Sequence, residues 1–257
     1  MMKQSEMLQA AIVAAKAAEV VIRRHYGTSL AVQKKADHSP VTQADIESEQ
    51  VIRDTLSRAF ATHGFYGEEL GRSSADAEYV WLIDPIDGTK SFVRGYPMFS
   101  TQIALLHRGE LVLGVSHAPC YGGGEMAWAE KGQGAFLNGE RIQVSDIGDM
   151  AQATLSLGNI ASLAVSARWP ALARLIPQLH RVRGYGDFLH YHLLASGRID
   201  AVLESDVNIL DIAALSVILR EAGGEITDLE GRPVGLDTTS VFATNGRLKD
   251  AVRAVLG

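Results

Sequence analysis

Asp84 and Asp87 stand three residues apart in the run Val80-Trp81-Leu82-Ile83-Asp84-Pro85-Ile86-Asp87-Gly88-Thr89-Lys90-Ser91-Phe92. Residues 80–83 read as a short buried strand that runs straight into a turn rich in Asp, Pro and Gly. Two carboxylates projecting from one turn, with Pro85 fixing φ between them and Ile86 offering its carbonyl, are the oxygen donors a hard divalent cation takes. Gly88 and Thr89 then expose backbone N–H groups at a helix N-terminus, where an anion is favoured. Acids for a cation beside amides for an anion is the chemistry of metal-assisted phosphate handling. Asp-Pro and Asp-Gly are also ordinary turn residues, so the hexapeptide alone leaves a structural reading open.

Three further acids fall at the ends of predicted elements. Asp45 closes Pro40-Val41-Thr42-Gln43-Ala44-Asp45, where Thr42 and an acid three residues later also make a capping box. Glu68 follows Gly67 at the end of a predicted strand. In an extended segment Glu68 and Glu69 point to opposite sides, so Glu68 is assigned inward and Glu69 behind it or into solvent. Asp211 opens a helix in Asn208-Ile209-Leu210-Asp211-Ile212-Ala213-Ala214, where capping or compensation of the helix dipole is the first reading of it taken alone. If these acids converge, an all-oxygen set without His or Cys selects Mg²⁺, Mn²⁺ or Ca²⁺ over zinc. Without a cation such a cluster would repel itself. His190 and His192, two apart on a predicted helix, face different directions, and the other histidines are scattered, so all are assigned to surface or satisfied core positions.

The elements that must position these groups follow from periodicity. Residues 5–26 form an amphipathic helix, with Met7, Ala11, Ala14, Ala18, Val21 and Ile22 at helical spacing and Gly27 as the stop. An extended piece (30–34), a polar loop (35–40) and a second helix bearing Ile52, Leu56, Ala59 and Phe60 on one face come next. Strands are expected at 64–71, 80–83, 99–106, 111–117, 125–129 and 135–137, with turns at Arg108-Gly109-Glu110 and Asn138-Gly139. This half, 1–145, reads as two helices covering an antiparallel sheet. In the second half, 146–257, strands at 154–157, 181–184, 199–203, 225–227 and 240–243 alternate with helices at 165–176, 187–196, 211–221 and 248–256, which places a sheet between helices. No Pro/Gly/Ser linker separates the halves, so 1–257 is expected to act as a single unit.

A net charge of −6 disfavours a nucleic-acid surface. The lone Cys120 excludes an internal disulfide and a Cys-based zinc site, and it fits a reducing cytoplasm. No targeting segment or membrane span is evident, so the expected location is cytoplasmic, without a membrane partner.

Four segments in this order, Pro40 to Asp45, Gly67-Glu68-Glu69, Asp84 to Thr89, and Asp211-Ile212-Ala213-Ala214 followed by Glu221-Ala222-Gly223-Gly224, resemble the Mg²⁺-dependent, lithium-sensitive inositol monophosphatase superfamily over nearly the whole chain. The resemblance implies an α/β (α+β) fold, the layered αβαβα sandwich shared with fructose-1,6-bisphosphatase, and a homodimer. It implies two or three Mg²⁺ per site. Glu68, Asp84 and the carbonyl of Ile86 would hold one, Asp84, Asp87 and Asp211 a second, and a weaker third would lie near Glu68. Thr89 paired with Asp45 would polarise the attacking water, with Glu68 among the catalytic groups, and the amides of Gly88 and Thr89 would receive the phosphate. Paired cations neutralise a phosphate dianion and activate water, so in-line hydrolysis needs no covalent phosphoenzyme.

The chain departs from the inositol phosphatase pattern in three places. It continues Thr89-Lys90-Ser91-Phe92, it has Leu210 before Asp211 where Trp is usual, and Arg183-Gly184-Tyr185-Gly186-Asp187-Phe188 resembles the histidinol-phosphate phosphatase branch. Loss of the Trp is expected to remove an aromatic from the pocket wall. Asp187, with Glu204 on the next strand, offers anionic partners to a cationic amine and imidazole, although Asp187 can equally cap its helix and Glu204 can accept from inositol hydroxyls. The expected activity is therefore hydrolysis of a small phosphorylated metabolite, leaning to histidinol phosphate. The alternatives are inositol-1-phosphate or a broad range of monoesters, 3′-phosphoadenosine 5′-phosphate (disfavoured because no basic cluster awaits a second phosphate), and a transcription accessory role on RNA polymerase. No direct contact with nucleic acid is expected.

Overall fold

The structure, a computed structural model, describes residues 4–28, 33–34 and 40–256. The expected polar loop at 35–39 and residues 30–32 of the extended piece lie outside the described residues. Helix α1 (Glu6–His25) starts at Ser5, whose hydroxyl accepts from the Leu8 N–H at 3.1 Å, and carries Arg23, Arg24 and His25 in its last turn, against the negative end of the helix dipole. Ala11, Ala14, Ala15 and Ala18 are fully buried, so α1 packs closely against α2 (Gln43–Ala59). Strands β1 (Gln33–Lys34) and β2 (Pro40–Val41) pair ahead of α2.

Strands β3 (Gly64–Gly67), β4 (Gly71–Ser73), β5 (Tyr79–Asp87), β6 (Ser100–His107), β7 (Glu110–Ala118), β8 (Glu125–Glu130), β9 (Gly134–Leu137) and β10 (Glu140–Ile142) form one eight-stranded sheet, in the order β10-β9-β8-β7-β6-β5-β3-β4. The sheet is not wholly antiparallel, as expected from the sequence: β3 and β5 run parallel. The reason is local. The hairpin to β4 turns back on the outer side of β3, and the chain then returns on the inner side as β5, in the direction of β3.

After β5 comes the short α3 (Thr89–Val93). The second half runs β11 (Thr154–Gly158), α4 (Ile160–Val165), α5 (Trp169–Leu175), β12 (Arg181–Arg183), α6 (Asp187–Ala195), β13 (Ala201–Ser205), α7 (Ile209–Glu221), β14 (Glu225–Thr227), β15 (Ser240–Thr244) and α8 (Lys249–Leu256). Its five-stranded sheet has the order β12-β11-β13-β15-β14. In place of one helix over 165–176 the chain forms α4 and α5, broken at Ser166. Pro170 lacks an N–H and suits the first turn of a new helix, not the interior of a continuous one.

Apolar side chains sort the elements into α1/α2, large sheet, α6/α7, small sheet and α5/α8, an αβαβα sandwich. Trp81, Ile83 and Ile86 of β5 face the α1/α2 core while Leu82 faces α6 and α7, the alternation of a strand buried on both sides. A third cluster joins the small sheet to α5 and α8 through Leu172, Leu175, Leu203, Phe242 and Val252. Helix α7 is buried at almost every position, as a helix between two sheets must be. It lies so close to β7 that a Cβ on Gly114 would come within 2.3 Å of the Ala214 carbonyl oxygen and 2.8 Å of its Cα.

Gly114→Ala therefore tests that contact. Overpacking against backbone is expected to cost about 1–3 kcal/mol, read as a lower midpoint in thermal or urea unfolding. An unchanged midpoint would show that α7 can move away freely.

Candidate active site

The two central acids leave the chain at an irregularity in β5. Asp84 pairs with Gln102 on β6 and Asp87 with Ser100, so three steps on one strand face two on the other. Residues three apart on a regular strand point to opposite faces, and the extra residue of the bulge brings both carboxylates to one side. The strand thus continues through Asp84-Pro85-Ile86-Asp87, where the sequence suggested a turn after Ile83. Thr101 Oγ1 donates to the Pro85 carbonyl at 2.9 Å, and the Ile86 N–H donates to Asp84 Oδ1 at 3.0 Å, so the bulge keeps its polar groups satisfied.

Asp211 arrives from α7. The helix begins at Ile209, two residues earlier than expected, with Asn208 as its N-cap. Asp211 Oδ2 accepts the Asn208 N–H and Oδ1 accepts its side-chain amide, both at 2.8 Å. Capping and site are therefore not alternatives, since the cap aims the carboxylate. Oxygens of Asp84, Asp87 and Asp211 lie within 4.8 Å of one another. Asp45 is treated the same way. Its Oδ2 accepts the Thr42 N–H at 2.7 Å and the Thr42 hydroxyl at 2.6 Å, while Oδ1 lies 3.4 Å from Thr89 Oγ1. Thr89 Oγ1 is also 3.1 Å from the Ile86 carbonyl, so its single proton has two acceptors behind it.

Glu68 sits in a turn, so the extended-strand argument that separated it from Glu69 does not apply. It nevertheless lines the cavity, within hydrogen-bond reach of Asp84. What fixes it was missed in the sequence: Glu49 on α2 is fully buried and accepts the Glu69 N–H at 2.7 Å and Arg53 Nε at 2.8 Å. The only available signal was the Glu49/Arg53 spacing of four on one helix face. Gly88 has φ +89°, and a Cβ there would lie 2.6 Å from the Met98 carbonyl oxygen, so only glycine lets the chain turn from β5 into α3.

Glu68, Asp84, Ile86, Asp87, Gly88, Thr89 and Asp211 line one open cavity of about 380 Å³, together with Lys90, Tyr96, Asn159, Asp187, Tyr191, Glu204 and Asp206, while Asp45 and Glu49 stand behind this lining. Asp187 begins α6 at φ +47° and makes no capping hydrogen bond, so capping is not its role. Leu210 belongs to the core, and the apolar wall beside Asp211 is Val207, Ile212 and Leu215. The buried His190 and His192 are satisfied, with His190 reaching Glu204 from behind. Tyr191, Asn159 and Asp206 carried no signal in the sequence. Asn159 Nδ2 donates to the Ser205 carbonyl at 2.7 Å, which holds the chain at Asp206.

Among the described residues, seven acids face this cavity against one cation, Lys90. Burial first, then Glu68, Asp87 and Asp211, push the Asp84 carboxyl well above the usual range. Burial and then Asp211, Asp187 and Glu204 do the same to Asp87. Burial raises Asp211 to about 7, although its bonds from Asn208 oppose the shift. Asp187 is raised to about 6 by burial and Glu204, against His190 and Lys90. Acids so placed take up either protons or a cation. The donors Asp84, Asp87, Asp211, Glu68 and the Ile86 carbonyl are all oxygen, which fits a hard divalent ion.

The profile of the inositol monophosphatase family matches residues 3–256. A histidinol-phosphatase of Mycobacterium tuberculosis is 38% identical over 256 residues, covering 98% of this chain and 97% of the relative. An inositol-1-monophosphatase of Caulobacter vibrioides is 35% identical over 232 residues, covering 85% of this chain and 88% of the relative. An IMPase structure from Thermotoga maritima superposes with a TM-score of 0.87 at 32% identity, covering 98% of this chain and 97% of that one.

The raised acids set a pH dependence. A carboxyl whose folded pKa exceeds its unfolded value holds more protons when folded, so its contribution to stability is present below about pH 4 and is lost as pH rises through the folded values. With Asp187 at about 6 and Asp211 at about 7, the metal-free protein is expected to lose stability between about pH 4 and 7. Mg²⁺ should then raise Tm more at pH 8 than at pH 5, by calorimetry with and without EDTA. An equal increment at both pH values would contradict the charge cluster.

Proposed function

The chain belongs to the inositol monophosphatase family and is a phosphoric monoester hydrolase; we propose that its substrate is a small phosphate monoester bearing a protonated amine, of which histidinol phosphate is the leading member. The observation that carries this reading is the surplus of acid in the cavity. Asp187 and Glu204 stand apart from the Asp84, Asp87 and Asp211 cluster and remain for a positive charge on the substrate. A neutral polyol gains less from two carboxylates, one of them buried. A named histidinol-phosphatase among the relatives supports the same substrate. The inositol-1-phosphate reading keeps its place because Glu204 can also accept from hydroxyls, and an inositol-1-monophosphatase is among the relatives.

In this reading Mg²⁺ is held by Asp84, Asp87, Asp211, Glu68 and the Ile86 carbonyl, and when bound it neutralises the phosphate dianion and activates water. The remaining work belongs to the chain. The Thr89 hydroxyl, donating its hydrogen bond to Asp45 or the Ile86 carbonyl, turns a lone pair to the cavity and can accept a hydrogen bond from the attacking water. Glu68 stands as a second acceptor beside it. The amides at Gly88 and Thr89 open α3 and receive phosphate oxygens. Asp187 and Glu204 orient the leaving group. A magnesium requirement, lithium sensitivity, a homodimer and a cytoplasmic location belong to the same proposal and rest on the family resemblance and the lone Cys120.

Three outcomes are expected. Asp84→Asn should lower turnover by about 10²–10³-fold in phosphate release at saturating Mg²⁺, and near-wild-type activity would sink the site assignment. Histidinol phosphate should exceed inositol-1-phosphate in kcat/KM by about tenfold or more, the scale of one charge-assisted contact. Asp187→Ala should erase most of that margin through KM, whereas an equal loss on both substrates would reject a recognition role for Asp187.

A further inference from the structure

Behind Glu204 lies a set of buried polar groups that the proposed chemistry does not use. Glu204 Oε2 receives two donors: His190 Nε2 at 3.1 Å and the Tyr191 hydroxyl at 2.7 Å. His190 has no exposed surface, and its Nδ1 lies 3.3 Å from Ser156 Oγ, which in turn accepts the Tyr185 N–H at 3.2 Å. Only one direction satisfies every atom with a neutral ring: Tyr185 N–H to Ser156, the Ser156 hydroxyl to Nδ1, and Nε2–H to Glu204. Both donors to Glu204 therefore engage the same oxygen. The other oxygen, Oε1, lies against Gly158, where an added Cβ would come within 2.1 Å of it, and Glu204 is among the residues that line the cavity. No protein donor reaches Oε1 among the described residues.

We propose that His190, with Tyr191, is a positioning residue that sets substrate specificity: it fixes Glu204 by one oxygen so that the other, free oxygen stands beside Asp187 as half of a paired-carboxylate subsite for an ammonium or imidazolium group. The proposal rests on the amine-substrate reading and adds the residues that build that subsite. Asp187 supplies the half-buried member and Glu204 the buried one. A carboxylate free to rotate would spend much of its time hydrogen-bonding elsewhere, so pinning it lowers the cost of binding a cation. A neutral substrate would gain little from the pinned oxygen, which is why the device acts on specificity.

The test compares kcat/KM for histidinol phosphate and inositol-1-phosphate in the wild-type protein and in four variants, each checked for folding by circular dichroism. Tyr191→Phe removes one donor without changing the ring, and His190→Leu removes the other. His190→Gln returns an N–H near Nε2. Gly158→Ala displaces the Glu204 head, whose Oε1, Cδ and Cγ the new Cβ would meet at 2.1, 2.5 and 2.8 Å, without changing His190 or Tyr191 themselves. The expected result is that Tyr191→Phe, His190→Leu and Gly158→Ala each reduce the amine-to-polyol ratio by about tenfold, mostly through KM for the amine substrate, while His190→Gln recovers part of the ratio. A ratio unchanged in all three, or the same loss on both substrates, overturns the proposal and leaves the substrate reading standing. A wild-type protein with no preference overturns that reading, and this proposal with it.

Discussion

The structure is organised around a repulsion. Asp84, Asp87 and Asp211 are held with oxygens within 4.8 Å of one another, and burial plus mutual charge push all three towards protonation. Hydrogen bonds to Asp84 and Asp211 oppose that repulsion. Asp84 accepts from the backbone of its own bulge, and Asp211 is both capping acceptor and cavity wall. The same groups that close local structure thus aim the carboxylates, and the proposed divalent ion would relieve the unfavourable charge.

Bringing Asp211 to the acids of β5 depends on how closely α7 can lie on the large sheet. Gly114 on β7 faces Ala214 on α7, and no side chain stands between their backbones. Because α7 is apolar on nearly all sides, burial between the two sheets fixes its depth, and its first turn then falls at the mouth of the cavity. Around this frame Glu49 ties the Glu68 turn to α2, and Thr89 links the site to Asp45 at the start of the same helix. One helix thus supports two edges of the site.

Helix α6 serves the opposite wall through two histidines. His190 reaches Ser156 and Glu204 on the small sheet, while His192 reaches Ser116 and Glu125 on the large one, at 2.8 and 2.7 Å. Two positions apart on a helix, they point in different directions and pin α6 between the sheets. Buried and fully bonded, they make the rotation of α6 specific in a layer where apolar packing alone would be tolerant. That rotation is what places Asp187 in the cavity.

Composition and order were enough to point to the oxygen-rich chemistry proposed for this protein: five acids at element ends and a Gly-Thr pair suited to an anion. The alternation of apolar residues determined most helices and strands, because burial periodicity is a local property of the chain. What the sequence left open was every question of direction. Whether Asp84 and Asp87 share a face turned on one extra residue in the pairing of β5 with β6, which no local pattern records. Whether Asp45 and Asp211 cap helices or face inward had no answer in the sequence, because each caps its helix while Asp45 also reaches Thr89 and Asp211 lines the cavity. The parallel β3/β5 pair, the break before α5, the support from Glu49 and the bonds behind Glu204 were likewise decided by contacts between distant segments. Side-chain direction is set by register and by the depth of packing, and both exist only once the layers have closed on one another.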